Sequence, residues 1–323
     1  GSKNSPNILQ EPARRVQLNG RHYTRLNVLG KGGSSCVWRI IGNECGRVYA
    51  YKRVDVRDGD DVDAVFDSYA NEINLLRRLN GSDGSGGSVD FEVCREQRYI
   101  AMLLEAGDVD LAKSQVQSQA QMDPFFARMA WREMLEAVQH IHTHRIVHGD
   151  LKPANFVFVR GHLKLIDFGI AKSFTSDTTN IYRESQIGTI NYMAPEAIAP
   201  MSQEECDEHG DQERLKMRLG RASDIWSLGC ILYQIVFGRP PFAALNTIQK
   251  LATIPSPKHV IRYPDWGEAA AVDAMRACLV HDPRARRGIA GPEGLLLMPY
   301  LQLMSSPSPS VSAATATAAT AAE

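Results

Sequence analysis

His148-Gly149-Asp150-Leu151-Lys152-Pro153-Ala154-Asn155 is the stretch that decides how this chain is read. It puts an acid, a cation and an amide within six residues, directly after a long helical pattern. Asp150 can orient a hydroxyl and accept its proton. Lys152 can offset negative charge developing on a transferred phosphoryl group, and Asn155 can offer an amide oxygen to a magnesium ion. Asp167-Phe168-Gly169 follows one hairpin later, and Asp167 adds a carboxylate to the metal set. Mg²⁺ prefers a few carboxylate or carbonyl oxygens together with phosphate oxygens. Phosphoryl transfer needs this combination of bridging metals, a positioned nucleophile and compensating positive charge.

Upstream, Gly30-Lys31-Gly32-Gly33-Ser34-Ser35-Cys36-Val37 forms a Gly-rich stretch. Where no Cβ intervenes, backbone N–H groups can approach phosphates closely. Gly30, Gly32 and Val37 fit the phosphate-loop pattern G-x-G-x-x-G-x-V, with Ser35 in place of the third Gly. Val48-Tyr49-Ala50-Tyr51-Lys52 is a strand ending in Lys, and Glu72 on the next helix is the acid expected to fix it. Ala194-Pro195-Glu196 closes the segment that begins at Asp167. Glu196 is expected to pair with Arg286 in a structural ion pair, and Asp224 to hold the backbone of the catalytic stretch from below.

The rest of the chain sorts around these motifs. Residues 1–20 lack periodicity and read as a mobile arm, and Gly1-Ser2, without Met, reads as a tag scar on a fragment. From Tyr23 to Val54 the pattern is β-rich, with a hairpin turn at Asn43-Glu44-Cys45-Gly46. Residues 55–63 are an acidic connector, 66–79 a helix, and 91–104 two strands. Asp123-Pro124 starts a helix, with Asp as N-cap and Pro at the first helical position. Residues 156–159 and 163–166 are short strands, 202–221 an inserted surface loop, and 224–237 a helix buried on all sides. Helical patterns recur near 268–280 and 292–303. The Ser-Pro and Ala-Thr tail from 304 to 323 reads as disordered. The fold class expected is α+β and bilobal, with a small β-rich lobe carrying one helix over 21–105 and a larger, mainly helical lobe over 106–303.

Bulk properties narrow the choice further. Lys plus Arg number 36 against 37 Asp plus Glu, so no net charge argues for a nucleic-acid or membrane surface. No apolar run approaches the roughly 18 residues of a membrane span. The six cysteines are scattered and form no C-x-x-C pair, which suits a reducing, intracellular compartment. His140, His142 and His144 alternate on a helix end and do not converge on a metal. An unrelated ATP-binding module of the P-loop type is excluded, since G-x-x-x-x-G-K-[ST] is absent. A nucleotide-binding scaffold without chemistry is the other alternative. Such scaffolds lack the strand Lys, the base or the metal Asp, and all three stand here.

Together these motifs resemble the protein kinase superfamily over about residues 23–303. Lys152 and Gly188-Thr189-Ile190-Asn191-Tyr192-Met193-Ala194-Pro195-Glu196 look like its Ser/Thr branch. A narrower set resembles the monopolar spindle (TTK) checkpoint kinases. It comprises Gly32-Gly33-Ser34-Ser35, Asn71-Glu72-Ile73, Glu105-Ala106-Gly107-Asp108-Val109-Asp110-Leu111, Asp177-Thr178-Thr179 and Ser185-Gln186-Ile187. The missing Arg before Asp150 is the last member.

The resemblance implies ATP as phosphate donor, Mg²⁺ as cofactor, Ser/Thr and dual-specificity activity, and a mitotic role. It also implies kinetochore and checkpoint protein substrates, a nuclear, cytoplasmic and spindle location, and a transient dimer for autophosphorylation in trans. It puts Leu104 at the gatekeeper position and Glu105, Ala106 and Gly107 at the hinge facing adenine. Thr178, Thr179 and Thr189 align with autophosphorylation positions, and the Thr189 hydroxyl is expected near Asp150 and Lys152. Gly149 replaces the Arg that usually clamps an activation-loop phosphate, so that cation must come from elsewhere, with Lys172 and Arg183 as candidates.

Overall fold

A computed structural model describes residues 15–32, 35–57, 61–63, 65–67, 69–70, 73, 90–117, 123–166, 189–198, 220–265 and 267–302. The arm before residue 15, the insert over 202–219 and the tail from 304 lie outside them.

The N-terminal half is one antiparallel sheet. Its strands are β1 (Arg15–Leu18), β2 (Arg21–Lys31), β3 (Ser35–Gly42), β4 (Val48–Asp55), β5 (Asp90–Cys94) and β6 (Tyr99–Glu105), in the order β1-β2-β3-β4-β6-β5. Side chains alternate across a strand with period two, and the register therefore sorts them onto two faces. Val37 lies opposite Lys52, Ala50 opposite Arg39 and Leu104, and Lys52 opposite Met102, so all six share one face. Ile40, Tyr51 and Leu103 occupy the other, where Val16, Leu18 and Tyr23 pack on them.

That packing corrects the reading of residues 1–20 as an arm. Arg15–Leu18 is a strand paired with β2. Val16 and Leu18 cover a sheet face that would otherwise present Ile40 and Tyr51 to water. The turn is Asn19-Gly20, with φ of 47° and 76°. Positive φ at both central residues is the two-residue hairpin geometry that Asn-Gly favours.

The acidic connector is also shorter than expected. Helical residues begin at Val62, and Phe66 and Ile73 are buried with Val56, Ile100 and Met102.

The C-terminal half is mainly helical. After β7 (Val109–Asp110) come α1 (Leu111–Gln117) and α2 (Pro124–Thr143). Asp123 caps α2 by accepting the Phe126 N–H at 3.3 Å. Ala127, Ala130, Trp131, Met134, Leu135, Val138 and Ile141 make its buried stripe. The strands β8 (Phe156–Val159) and β9 (His162–Leu165) form a second hairpin and join β7 in a three-stranded sheet.

The short helix α3 (Pro195–Ile198) precedes α4 (Arg221–Phe237), which is buried almost all round as expected. Then follow α5 (Thr247–Thr253), α6 (Ala269–Cys278) and α7 (Pro299–Gln302). At Gly229 a Cβ would stand 2.6 Å from Cys278 Cβ, so the close crossing of α4 and α6 depends on glycine there.

Three further differences have local causes. Helix α1 escaped the sequence reading, although Asp110 accepts the Lys113 N–H at 2.8 Å in a capping arrangement. Helix α5 escaped it too, although Asn246 and Gln249 exchange side-chain and backbone bonds of 2.9 and 3.0 Å as a capping box. The pattern near 292–303 is two separate turns, Leu295–Leu297 and α7. Pro299 drives Met298 to an extended ψ of 147°, which breaks a continuous helix.

If β1 belongs to the core, Leu18→Ala should destabilise the chain by about 2–5 kcal/mol, as fully buried leucines do. Urea unfolding checks it, and a loss under about 1 kcal/mol would return residues 15–18 to an arm.

Candidate active site

The stretch His148–Asn155 hangs from the first turn of α4. Asp224 is fully buried. Its Oδ2 accepts the His148 N–H at 2.9 Å and lies 2.8 Å from His142 Nε2, while its Oδ1 accepts the Gly149 N–H at 2.8 Å. A buried carboxylate is tolerable only when hydrogen-bonded. Three donors and a helix N-terminus supply that environment. The sequence reading anticipated the backbone contacts and missed His142, which gives no local sign of pointing inward. Gly149 has φ of 73°, a conformation glycine adopts without the Cβ penalty other residues meet. The Asp150 N–H then donates to His148 Nδ1 at 3.2 Å.

Lys152 joins two segments that lie far apart in sequence. Its Nζ is 3.1 Å from Asp150 Oδ2 and 3.4 Å from Thr189 Oγ1. Thr189 opens a single 3-10 turn, Thr189–Tyr192, whose Ile190 is buried beside Trp226. Asn155 ends another such turn and is buried. Its Oδ1 accepts the Lys152 N–H at 3.1 Å, and its main-chain oxygen accepts the Ile166 N–H at 2.7 Å. The last described residue before Asp167 is thereby bonded to Asn155.

The opposite wall is the sheet face bearing Val37, Ala50, Lys52 and Leu104. Gly30 pairs with Val37 and Lys31 with Cys36, while the Gly32 N–H donates to Ser35 O at 2.7 Å. The hinge is held from both halves. Glu105 meets Lys164 at 2.7 Å and Arg160 at 3.5 Å. Gly107 O accepts from Arg39 at 3.0 Å, and the Asp108 N–H donates to Phe158 O at 2.7 Å. At Gly107 a Cβ would stand 2.0 Å from Val157 Cγ1, so only glycine lets the hinge pass there. A cavity of about 770 Å³ opens along Leu26, Arg39, Val48, Glu105, Ala106 and Gly107. Lys113 reaches from α1 to Leu29 O at 3.3 Å and to Asp110 at 3.0 Å, bridging the two halves beside the Gly-rich stretch.

Gly33, Ser34, Glu72, Asp167, Thr178 and Thr179 lie outside the described residues, as do Phe168, Lys172 and Arg183. The structure therefore brings together Asp150, Lys152, Asn155 and Thr189 on one side. Lys52, Ala50, Val37 and Leu104 share a face on the other.

Glu196 and Arg286 form a two-pronged pair at 2.6 and 2.8 Å. The remaining Arg286 N–H groups reach Val280 O, Ala222 O and His281 O, so all five donors have acceptors. Ser223 Oγ donates to Glu196 Oε1 at 2.9 Å. Burial pushes the Glu196 carboxyl upward, but the hydrogen bonds and charge of Arg286, with Ser223 and backbone donation, outweigh it and hold it below the usual range.

The protein kinase domain family matches residues 23–301, and the chain belongs to that family. Its relatives include the serine/threonine-protein kinase mph1 of Schizosaccharomyces pombe, 44% identical across 90% of this chain and 44% of that protein. The dual specificity protein kinase TTK of Mus musculus is 42% identical across 90% of this chain and 33% of its own length. The serine/threonine-protein kinase MPS1 of Saccharomyces cerevisiae is 40% identical across 84% and 36%. The chain thus spans less than half the length of these relatives.

A depressed carboxyl stabilises the fold at pH values above its unfolded pKa, near 4.5, and loses that contribution as pH falls through the folded value. Glu196→Gln should therefore cost stability at pH 7, and the gap from the parent chain should narrow below pH 4.5. Urea unfolding at both pH values checks this, and a gap that stays constant contradicts it.

Proposed function

We propose that this chain is the catalytic domain of a mitotic checkpoint kinase, transferring the γ-phosphate of ATP to Ser and Thr hydroxyls of proteins, and to Tyr in dual-specificity fashion. The observation that carries this reading is the position of Lys152 Nζ between Asp150 and Thr189.

An incoming hydroxyl donates to Asp150 and passes its proton there as its oxygen bonds to the γ-phosphorus, while the bond from that phosphorus to the β–γ bridging oxygen breaks and ADP leaves. Lys152, beside that carboxylate, offsets charge gathering on the moving phosphoryl oxygens. Asp224 keeps Asp150 in place through the His148 and Gly149 amides that lead into the Gly149 bend. Lys52, on the sheet face with Ala50, holds the α- and β-phosphates with Glu72 as its anchor. Adenine sits between Val37, Ala50 and Leu104 and meets the hinge backbone from Glu105 to Gly107. The Gly-rich stretch, Gly30 to Ser35, covers the phosphates.

Asn155 and Asp167 are the residues that would hold magnesium. Asn155 fits, because it is buried at the cleft and a carbonyl oxygen with two lone pairs keeps one beyond the Lys152 bond. Bound there, Mg²⁺ would offset negative charge on the phosphate groups.

The resemblance to the monopolar spindle kinases extends this proposal to protein substrates at the kinetochore and spindle, met in nucleus and cytoplasm, and to autophosphorylation of Thr178, Thr179 and Thr189 through a transient dimer. A phosphate on Thr189 would displace its hydroxyl from Lys152, so modification there should depress activity. Among the described residues no helix is long and apolar enough to cross a membrane, and nothing in the charge balance calls for nucleic acid.

Incubation with ATP and Mg²⁺ followed by mass spectrometry tests the reading. The parent chain should acquire phosphate, Thr179 included, Asp167→Ala should acquire none, and Asp150→Asn should slow transfer by about 10²–10⁴-fold. An unmodified parent chain would leave a nucleotide-binding scaffold as the better description.

Thr179→Ala should lower the steady-state rate on an added protein substrate, because the segment loses its ordering phosphate and Gly149 cannot replace the missing clamp. An unchanged rate would count against phosphate-dependent ordering.

A further inference from the structure

The three histidines at the end of α2 part company in the folded chain. His142 turns inward to Asp224, 2.8 Å away. His140 and His144 stay toward solvent, the first exposed and the second half-buried. They stand four residues apart, a spacing that makes side chains neighbours on a helix surface. Their ring centroids are 4.8 Å apart, with the planes tilted by 56°.

The local contacts decide which nitrogens are available. His144 Nδ1 lies 2.9 Å from His140 O. A carbonyl oxygen only accepts, so Nδ1 carries the hydrogen and the neutral ring keeps its lone pair on Nε2. A ring N–H bonded to a backbone carbonyl is the usual support of a metal-binding imidazole, because it fixes tautomer and orientation. Thr143 Oγ donates to the same carbonyl at 2.7 Å and steadies the turn. The His140 ring has no hydrogen bond among the described residues, so its nitrogens are open to a ligand.

The spacing of the rings suits one shared ion. An imidazole nitrogen sits about 2.0–2.1 Å from zinc, which puts the ring centre about 3.2 Å from the metal. Two such rings 4.8 Å apart subtend about 100° at the ion, between the octahedral and tetrahedral angles. Helix α2 ends here, and the negative end of its dipole favours a cation. Imidazole nitrogens select borderline transition ions over Mg²⁺ and Ca²⁺, which take oxygen ligands. We infer that His140 and His144 form a two-point binding site for a divalent transition ion of the Zn²⁺ type. No third His, Cys, Asp or Glu joins them among the described residues, so water completes the coordination and the ion is exchangeable. The site is separate from Asn155 and Asp167, the residues assigned to magnesium.

Isothermal titration calorimetry of the whole chain with Zn²⁺, in excess Mg²⁺, reads binding without phosphate transfer. Its outcome is therefore separable from the kinase reading. The parent chain should show a saturable one-to-one phase that Mg²⁺ does not suppress. His140→Ala and His144→Ala each keep one imidazole and lose the second ligand held in place, so each should weaken that phase by about tenfold or more. Thermal melting without Zn²⁺ confirms that the variants fold, and His140→Ala decides the matter if His144→Ala does not. Absence of a saturable phase in the parent, or undiminished affinity in a folded variant, overturns the assignment. The second result would place the zinc on other ligands, such as thiolates.

Discussion

The buried carboxylate of Asp224 is the constraint on which the rest of the site depends. It is fully buried, and it receives His148 N–H, Gly149 N–H and His142 Nε2 within 2.9 Å. Removing it would leave two main-chain donors unmatched in the interior. Because Asp224 sits in the first turn of α4, the His148–Asn155 stretch inherits the rigidity of a helix buried almost all round. The same two turns hold the far end of the activation segment. Ala222 O and Ser223 Oγ engage the Arg286–Glu196 pair, and Ser227 Oγ donates to Tyr192 O at 2.8 Å. One helix thus fixes both sides of the gap that Lys152 spans.

The two halves meet through a few polar contacts near the hinge. Arg39 to Gly107 O, Lys113 to Leu29 O and Lys164 to Glu105 each tie the sheet or the hinge to its surroundings. Lys113 and Lys164 are substantially exposed, so their contacts are individually weak and screened by salt. Such contacts orient the halves without locking them, which suits the proposed nucleotide cleft. The apolar clusters, by contrast, stay within one half or the other.

Much of this was legible from local patterning. The capping Asp123-Pro124, the turn before Val48 and the buried helix after Asp224 were each written in short stretches of sequence. What was missed was present but brief. Asn19-Gly20 announced a hairpin, yet β1 adds only four residues of alternation. Asn246 and Gln249 announced a capped helix of only seven residues. Near Pro299 the apolar spacing suggested a continuous helix, and the proline's effect on Met298 divided it. Short elements carry weak periodicity, and their stability comes from the surface they cover rather than from their own propensity.

By itself the sequence determined that an acid, a cation and an amide stand within six residues in a fixed order, the pattern on which the phosphotransfer reading rests. It also determined the division into a β-rich and a helical half, since a change of hydrophobic period is a local property. Only the tertiary structure decided how Thr189 comes within reach of Lys152 and why His142 belongs under the His148–Asn155 stretch. Each of these joins residues at least 37 positions apart, and no local rule fixes such a distance. Packing fixes it, through the depth of α4 in the core and the +73° bend at Gly149 that turns Asp150 toward the cleft.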